Sequence, residues 1–250
     1  YAFYNMTSLV EVVLPENITY LGQYAFYNCK SLTMLNSDTA GVIEIPTKVH
    51  EINAYTFYNC SVISDIRLSQ NVEFIGDHAF YGCSNLTNVV IRNANTIGEK
   101  AFYGCSSLES ITLPSTVTSI GSNAFFNCTG LDEILLPAGL KSIGNFAFSG
   151  CTGLTSITIP DSVTSIGDYA FYGCSGLTSV TIGNSVTSIG GHAFYGCTGL
   201  TSIIIPDSVT SIGNSAFRGC TGLTSVTISD RVESIGDNAF YGCTSLTSVT

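Results

Sequence analysis

Apolar residues return along this chain on a long beat. In the stretch LTSVTIGNSVTSIGGHAFYGCTG, Leu177 to Gly199, the apolar positions are Leu177, Val180, Ile182, Val186, Ile189, Ala193, Phe194 and Cys197, and Ser, Thr, Gly and Asn fill most of the rest. The same columns recur in nearly every copy. Cysteines mark the period: Cys29, Cys60, Cys83, Cys105, Cys128, Cys151, Cys174, Cys197, Cys220 and Cys243 are spaced by 31, 23, 22 and then 23 residues throughout. A Phe stands three residues before each Cys, and one further copy opens the chain, with Phe3 followed by Met6 in place of Cys. A fixed period of this length signals a solenoid.

Each unit carries its own local signals. Leu-x-x-Val-x-Ile ends in a two-residue alternation, which predicts a short strand with one face inward and residues such as Ser179 and Thr181 outward. A turn follows, often Pro-Asp-Ser as at Pro160, Asp161 and Ser162, and then a second extended piece, Val-Thr-Ser-Ile-Gly. Asp168, Asn214 and Asp237 stand just ahead of x-Ala-Phe and predict the cap of a single helical or 3₁₀ turn. No unit can bury its apolar residues alone. Stacked copies bury them against one another, with strands about 4.8 Å apart in a parallel sheet.

The expected architecture is one continuous domain over residues 1–250, a repeat solenoid of about eleven coils spanning roughly 50 Å. Two irregularities break the beat. An eight-residue insertion lies within residues 34–42, where the polar stretch Asn36 to Gly41 reads as a surface loop. The 22-residue spacing lacks one residue near Asn93 to Thr96. The chain starts inside one unit and stops in the first strand of another without a cap, so a fragment of a longer protein is expected.

The consensus Leu-x-x-Val-x-Ile-Pro-x-x-Val-x-x-Ile-Gly-x-x-Ala-Phe-x-x-Cys resembles the BspA-like, treponeme-type leucine-rich repeat along essentially the whole chain. Ordinary leucine-rich repeats run Leu-x-x-Leu-x-Leu-x-x-Asn and lack the Ala-Phe-x-x-Cys turn. The copies from Leu154 and Leu200 match best, and the copy from Ile63, with Asp65 and Arg67, departs most. The resemblance implies a curved right-handed leucine-rich-repeat-like solenoid on a secreted or surface-anchored protein of a host-associated microbe. It implies adhesion to host extracellular matrix or plasma proteins, or to other microbial surface molecules, and no catalytic residues. Localisation is expected to be extracellular or at the cell surface.

Charge narrows the partners. Eight Lys and Arg face 18 Asp and Glu, a net charge of −10, which disfavours nucleic acid and anionic membranes. No apolar run approaches the roughly 18 residues of a membrane-spanning helix, and the opening Tyr1-Ala2-Phe3-Tyr4 carries no signal-peptide pattern.

Reactive chemistry is sparse. Equivalent cysteines on parallel coils point the same way, so their Cβ atoms do not face each other as a disulfide requires. Ten buried free thiols are expected instead. Without Cys-x-x-Cys there is no zinc signature. His78 and His192 share one column five coils apart, and His50 lies in a turn, so no two histidines can meet. No nucleophile elbow, zinc-protease motif or phosphate loop occurs. No enzyme, metal or cofactor is expected. The row Asp161, Asn184, Asp207 and Asp230 could bridge Ca²⁺ between coils, although Asp and Asn suit such turns without any ion. Five Asn-x-Ser/Thr sequons, at Asn5, Asn17, Asn59, Asn85 and Asn127, matter only in a eukaryotic secretory host.

Two surfaces carry the binding expectation. The residue after each inward Phe forms a stripe: Tyr4, Tyr27, Tyr58, Tyr81, Tyr103, Phe126, Ser149, Tyr172, Tyr195, Arg218 and Tyr241. Ser149 and Arg218 fit poorly in a dry core, so the stripe is expected to be at least partly exposed. Tyr58, Tyr81, Tyr103, Tyr172, Tyr195 and Tyr241 are its candidate contacts. Against this stands the alternative that the rings merely stack on one another to seal the solenoid edge. The outward strand positions form the second surface. They vary early in the chain, where Asp65, Arg67 and Glu133 are candidates, and settle into Ser and Thr later. A structural spacer that only projects other domains is the alternative function.

Overall fold

The computed structural model describes all 250 residues. Its chain winds through about ten coils built from 21 strands of two to four residues, with no helix. A regular coil carries two strands, as at Ser156–Thr158 and Ser165–Ile166. Ile157 and Ile166 point inward, and the flanking Ser and Thr face water. The alternation seen in the sequence is therefore a pleat with one buried side. Strands pair in parallel with their equivalents one coil on, as Ser119 with Ser142 and Ile120 with Ile143.

The first strands of the coils form one face. A seven-stranded parallel sheet runs through β1 (Glu11–Val12), β2 (Met34–Leu35), β3 (Val42–Glu44) and on to Glu133–Ile134, and two shorter sheets continue the face to Ser248–Val249. The second strands form one unbroken nine-stranded ladder from β4 (Glu51–Ile52) to Ser234–Ile235.

The expected helical turn before each Phe is absent, and the hydrogen bonds explain why. In one turn Ala25, Tyr27 and Cys29 donate their N–H groups three residues back, to Gly22, Tyr24 and Phe26. The intervening Tyr24, Phe26 and Asn28 donate to Ala54, Thr56 and Tyr58 of the next coil. Half the donors are thus spent between coils. Tyr24 and Asn28 also take left-handed backbone angles, φ 58° and 57°, which a right-handed helix cannot contain. From Cys83 on, Gly usually occupies the second left-handed site, as Gly82 does at φ 70°. The expected caps bond across coils too: Asp168 Oδ1 accepts the N–H of Gly191 at 2.7 Å, and Asn214 Oδ1 that of Asp237 at 2.9 Å.

The core is a set of columns running along the axis. Eleven Phe rings, Phe3 to Phe240, stack with centroids 5.0–5.6 Å apart. All ten cysteines are free and buried, as expected. Each also donates its thiol hydrogen to the carbonyl of a Phe in the preceding coil, with sulfur 3.0–3.2 Å from oxygen. The column therefore suits a small apolar side chain that keeps one weak donor.

The insertion does more than bulge. After β2 the chain turns through Asn36 to Gly41 and returns as β3, which pairs in parallel with β2, Leu35 opposite Ile43. This miniature coil adds a strand to the first face and nothing to the second, where Leu21 bridges directly to Ile52. Phe26 likewise stacks directly on Phe57, 5.3 Å away. Asn36 supplies what the missing coil would have given. Its side-chain oxygen accepts the N–H of Leu14 at 2.6 Å, where the regular partner is a backbone carbonyl, as for Ile45 bonded to Arg67. The wedge opens a polar cleft of about 520 Å³ between the turns at Glu16–Asn17 and Pro46–Lys48.

Candidate binding surface

The tyrosine stripe exists, and both readings of it describe part of the arrangement. Tyr4, Tyr27, Tyr58, Tyr81, Tyr103 and Phe126 stack face to face, 4.5–4.9 Å apart. The rings from Tyr27 to Phe126 are half-buried, so each seals its neighbour while its edge stays in contact with water. Ser149 breaks the column. It was expected on the exposed side, yet it is only 2% exposed, lying low in a row whose other members are large rings. Beyond it Tyr172 stacks on Tyr195 at 4.9 Å. Arg218 then takes the place of a ring, its guanidinium 5.8 Å from the Tyr195 centroid and 4.9 Å from that of Tyr241, a cation–π rung. Tyr172 and Tyr241 are the open rings of this segment, 38% and 62% exposed.

A second aromatic column, not singled out from the sequence, runs beside the first. It is the residue two before each Phe, the left-handed position of the turn. Tyr1, Tyr24, Tyr55 and His78 stack at 4.8, 4.6 and 4.4 Å. Lys100 and Asn123 interrupt it, and Phe146, Tyr169 and His192 resume at 4.5 Å steps. The signal was present: Tyr24, Tyr55 and Tyr169 keep the same offset from Phe as the histidines already aligned at His78 and His192. Within a coil the columns touch at an angle, Tyr24 with Tyr27 at 5.6 Å and 47° and Tyr55 with Tyr58 at 5.8 Å and 39°. The result is a V-shaped trough of about 410 Å³ walled by Tyr24, Tyr55, His78 and Lys100 on one side and Tyr27, Tyr58, Tyr81 and Tyr103 on the other.

The trough is uncharged except at Lys100. Burial, with the adjacent Tyr81 second, pushes the Tyr58 phenol up to about 12. Burial also raises Tyr24, Tyr27 and Tyr103. The phenols of Tyr24, Tyr27, Tyr58 and Tyr103 therefore keep their protons at neutral pH and can donate them. His78 is held below the ordinary histidine range by burial and then by Lys100, so it stays neutral. Lys100 Nζ lies 2.8 Å from Glu99 Oε1.

The strand face places the remaining candidates apart from this trough. Arg67 bonds Glu44 Oε1 at 2.6 Å and Asp65 Oδ2 at 3.3 Å. The two candidates are thus one exposed ion cluster with Glu44 as a third member. Glu133 lies two coils beyond Asn88 on the same face, beside Leu135, which is 82% exposed. Neither group meets the tyrosines. The Asp row is engaged between coils: Asp161 Oδ1 accepts the Asn184 N–H and Asp207 Oδ1 the Ser229 hydroxyl, both at 2.7 Å.

The sequence profile of the BspA type leucine rich repeat region matches residues 1–96, 36–155, 95–220 and 141–250. The chain belongs to the BspA-type leucine-rich-repeat family. Solved relatives agree with the solenoid. A leucine-rich repeat protein from Bacteroides ovatus is 29% identical over 100% of this chain and 80% of its own, with a TM-score of 0.54. The T. pallidum leucine-rich repeat protein is 27% identical over 82% of each chain, with a TM-score of 0.52. A leucine-rich repeat protein from Eubacterium ventriosum shares the fold at a TM-score of 0.64 and 22% identity, over 98% of this chain and 79% of its own. No curated protein sequence matches the chain. BspA-type repeats are generally non-catalytic scaffolds, and a surface role in protein interaction suits this one.

Proposed function

We propose that this chain is a non-catalytic binding module of a secreted or surface protein, and that it docks protein ligands through its tyrosine surface. Host extracellular matrix or plasma proteins and other microbial surface molecules are the partner classes. The observation that carries the reading is the paired aromatic columns, which keep ring edges and phenol hydroxyls in contact with solvent over successive coils. Rigid amphipathic rings contribute contact area at little entropic cost, and a surface whose only charges are Lys100 and Arg218 predicts weak salt dependence.

The test is a pull-down of matrix and plasma proteins at physiological and raised salt with the intact chain and with Tyr58→Ser. Ser149 shows that a serine rung is compatible with the column. Saturable capture lost in the variant supports the reading. Capture unaffected by it removes the tyrosines from the site. A spacer role is the second reading, favoured by the later strand face, where the outward pairs Ser156/Thr158, Ser179/Thr181 and Ser225/Thr227 repeat and only Ile204 departs. It predicts no capture by either protein.

A further inference from the structure

Resting on that protein-binding reading, we propose that the trough between the aromatic columns, from the Tyr1–Tyr4 rung to the Lys100–Tyr103 rung, is a groove for a proline-rich segment in the polyproline II conformation. The first ground is period. Successive rungs from Tyr27 to Tyr103 are 4.5–4.6 Å apart, so two rungs cover about 9 Å. Polyproline II advances about 3.1 Å per residue with three residues per turn, about 9.3 Å. A chain of that form lying along the axis repeats its contacts at every second coil. A β-strand repeats its face about every 6.7 Å and an α-helix its turn every 5.4 Å, and both fall between rungs.

The second ground is hydrogen-bond complementarity. Ring faces in the columns are turned to their stacking neighbours, so the trough presents edges and hydroxyls. Its lining is Tyr24, Tyr27, Tyr55, Tyr58, Tyr81 and Tyr103 with His78 and Lys100, and no carboxylate. Lys100 gives one proton to Glu99 and keeps two. Each phenol can give one proton to a ligand carbonyl, and Lys100 adds donors with no acceptor of its own. A polyproline II backbone makes no internal hydrogen bonds, and proline brings carbonyl acceptors with no N–H of its own. The stiffness of the proline segment also lowers the ordering cost of binding, as in other aromatic-lined grooves that take such ligands. Beyond Asn123 and Ser149 the columns are paired only at Tyr169–Tyr172 and His192–Tyr195, too short for two turns of ligand.

Fluorescence anisotropy with labelled decaproline, against a ten-residue Gly-Ser peptide, tests this on the intact chain. Decaproline is expected to saturate with at least tenfold higher affinity than the control. The double variant Tyr55→Phe/Tyr58→Phe keeps both rings stacked and removes two donors, and is expected to weaken decaproline at least fivefold. Tyr20→Phe, an exposed tyrosine outside both columns, is expected to change it less than twofold. Equal binding of both peptides, no decaproline binding, or indifference to the double variant overturns the proposal. If decaproline is ignored while Tyr58→Ser still abolishes capture of a matrix or plasma protein, the proline groove fails and the tyrosine surface stands. If nothing is captured either, both fail.

Discussion

The coils before Ser149 and those after it share their interior and differ on their surface. Phe57 and Phe194, Cys83 and Cys174, Ile75 and Ile189 occupy the same buried columns. Yet the early half carries the charged cluster of Glu44, Asp65 and Arg67, the miniature coil and the long paired trough. The later half carries a Ser/Thr strand face and a tyrosine column continued by Arg218. The contrast separates two selections. Fully buried columns such as Phe and Cys keep one residue type in every regular coil, because each side chain must match its own image one rung away. Positions facing water are free of that constraint, and the differences between the halves accumulate there.

Alkaline pH gives the largest expected effect, and the two halves should share it. Burial pushes the Cys83 and Cys174 thiols up to about 12, whereas an unfolded thiol ionises near 8.5. The folded pKa is the higher one, so stability is intact below about pH 8.5 and falls as pH rises toward 12. The loss is about 1.4 kcal/mol per thiol per pH unit within that window. Denaturant midpoints measured by far-ultraviolet circular dichroism from pH 7 to 11 should fall steeply above pH 9. A flat profile would mean the thiols are not buried in solution. Next come the rings. Phe57→Ala and Phe194→Ala should each cost about 3–5 kcal/mol, and similar losses of denaturant midpoint are the sign of a shared interior. A large difference between them would break the equivalence of the halves.

Gly144→Ala stands at the boundary, where a methyl group would lie 2.6 Å from the Ser122 nitrogen. Overpacking against backbone should cost about 1–3 kcal/mol, read as a lowered thermal midpoint, and a neutral result would show that the coils can separate there. The smallest effect sharpens the contrast most. Ser149→Tyr restores the missing ring between Phe126 and Tyr172 and should stabilise by about 0.5–1.5 kcal/mol. Destabilisation instead would show that Ser149, already buried, has no room above it.

Most of the solenoid was legible because its period is redundant. Ten cysteines, each behind a Phe, report the same geometry ten times, and Ile157 or Ile166 could be placed inward from alternation alone. What the sequence concealed was non-local. Asp168 looks like a helix cap because its partner, Gly191, lies a full coil away, and only stacking brings them together. The insertion resembled a loop because a parallel return of eight residues, Leu35 to Ile43, has no local signature. The candidate surface was half legible. The column after Phe stands out in the sequence, whereas that of Tyr24 and Tyr55 does not, because Lys100, Asn123 and Ser215 in the same column disguise its aromatic preference. Asp65 and Arg67 can be picked out from the sequence, but Glu44, which joins them, belongs to the displaced strand.

That displaced strand also governs orientation. In a globular domain an eight-residue insertion alters a loop and leaves distant parts where they were. Here β3 thickens one side of the stack while Leu21 and Ile52 stay adjacent on the other, as a shim under one edge tilts everything above it. The direction in which the first coils aim whatever lies on them is thus written in the residues between Leu35 and Ile43. A change of length there would re-aim them as a body and leave each coil unchanged.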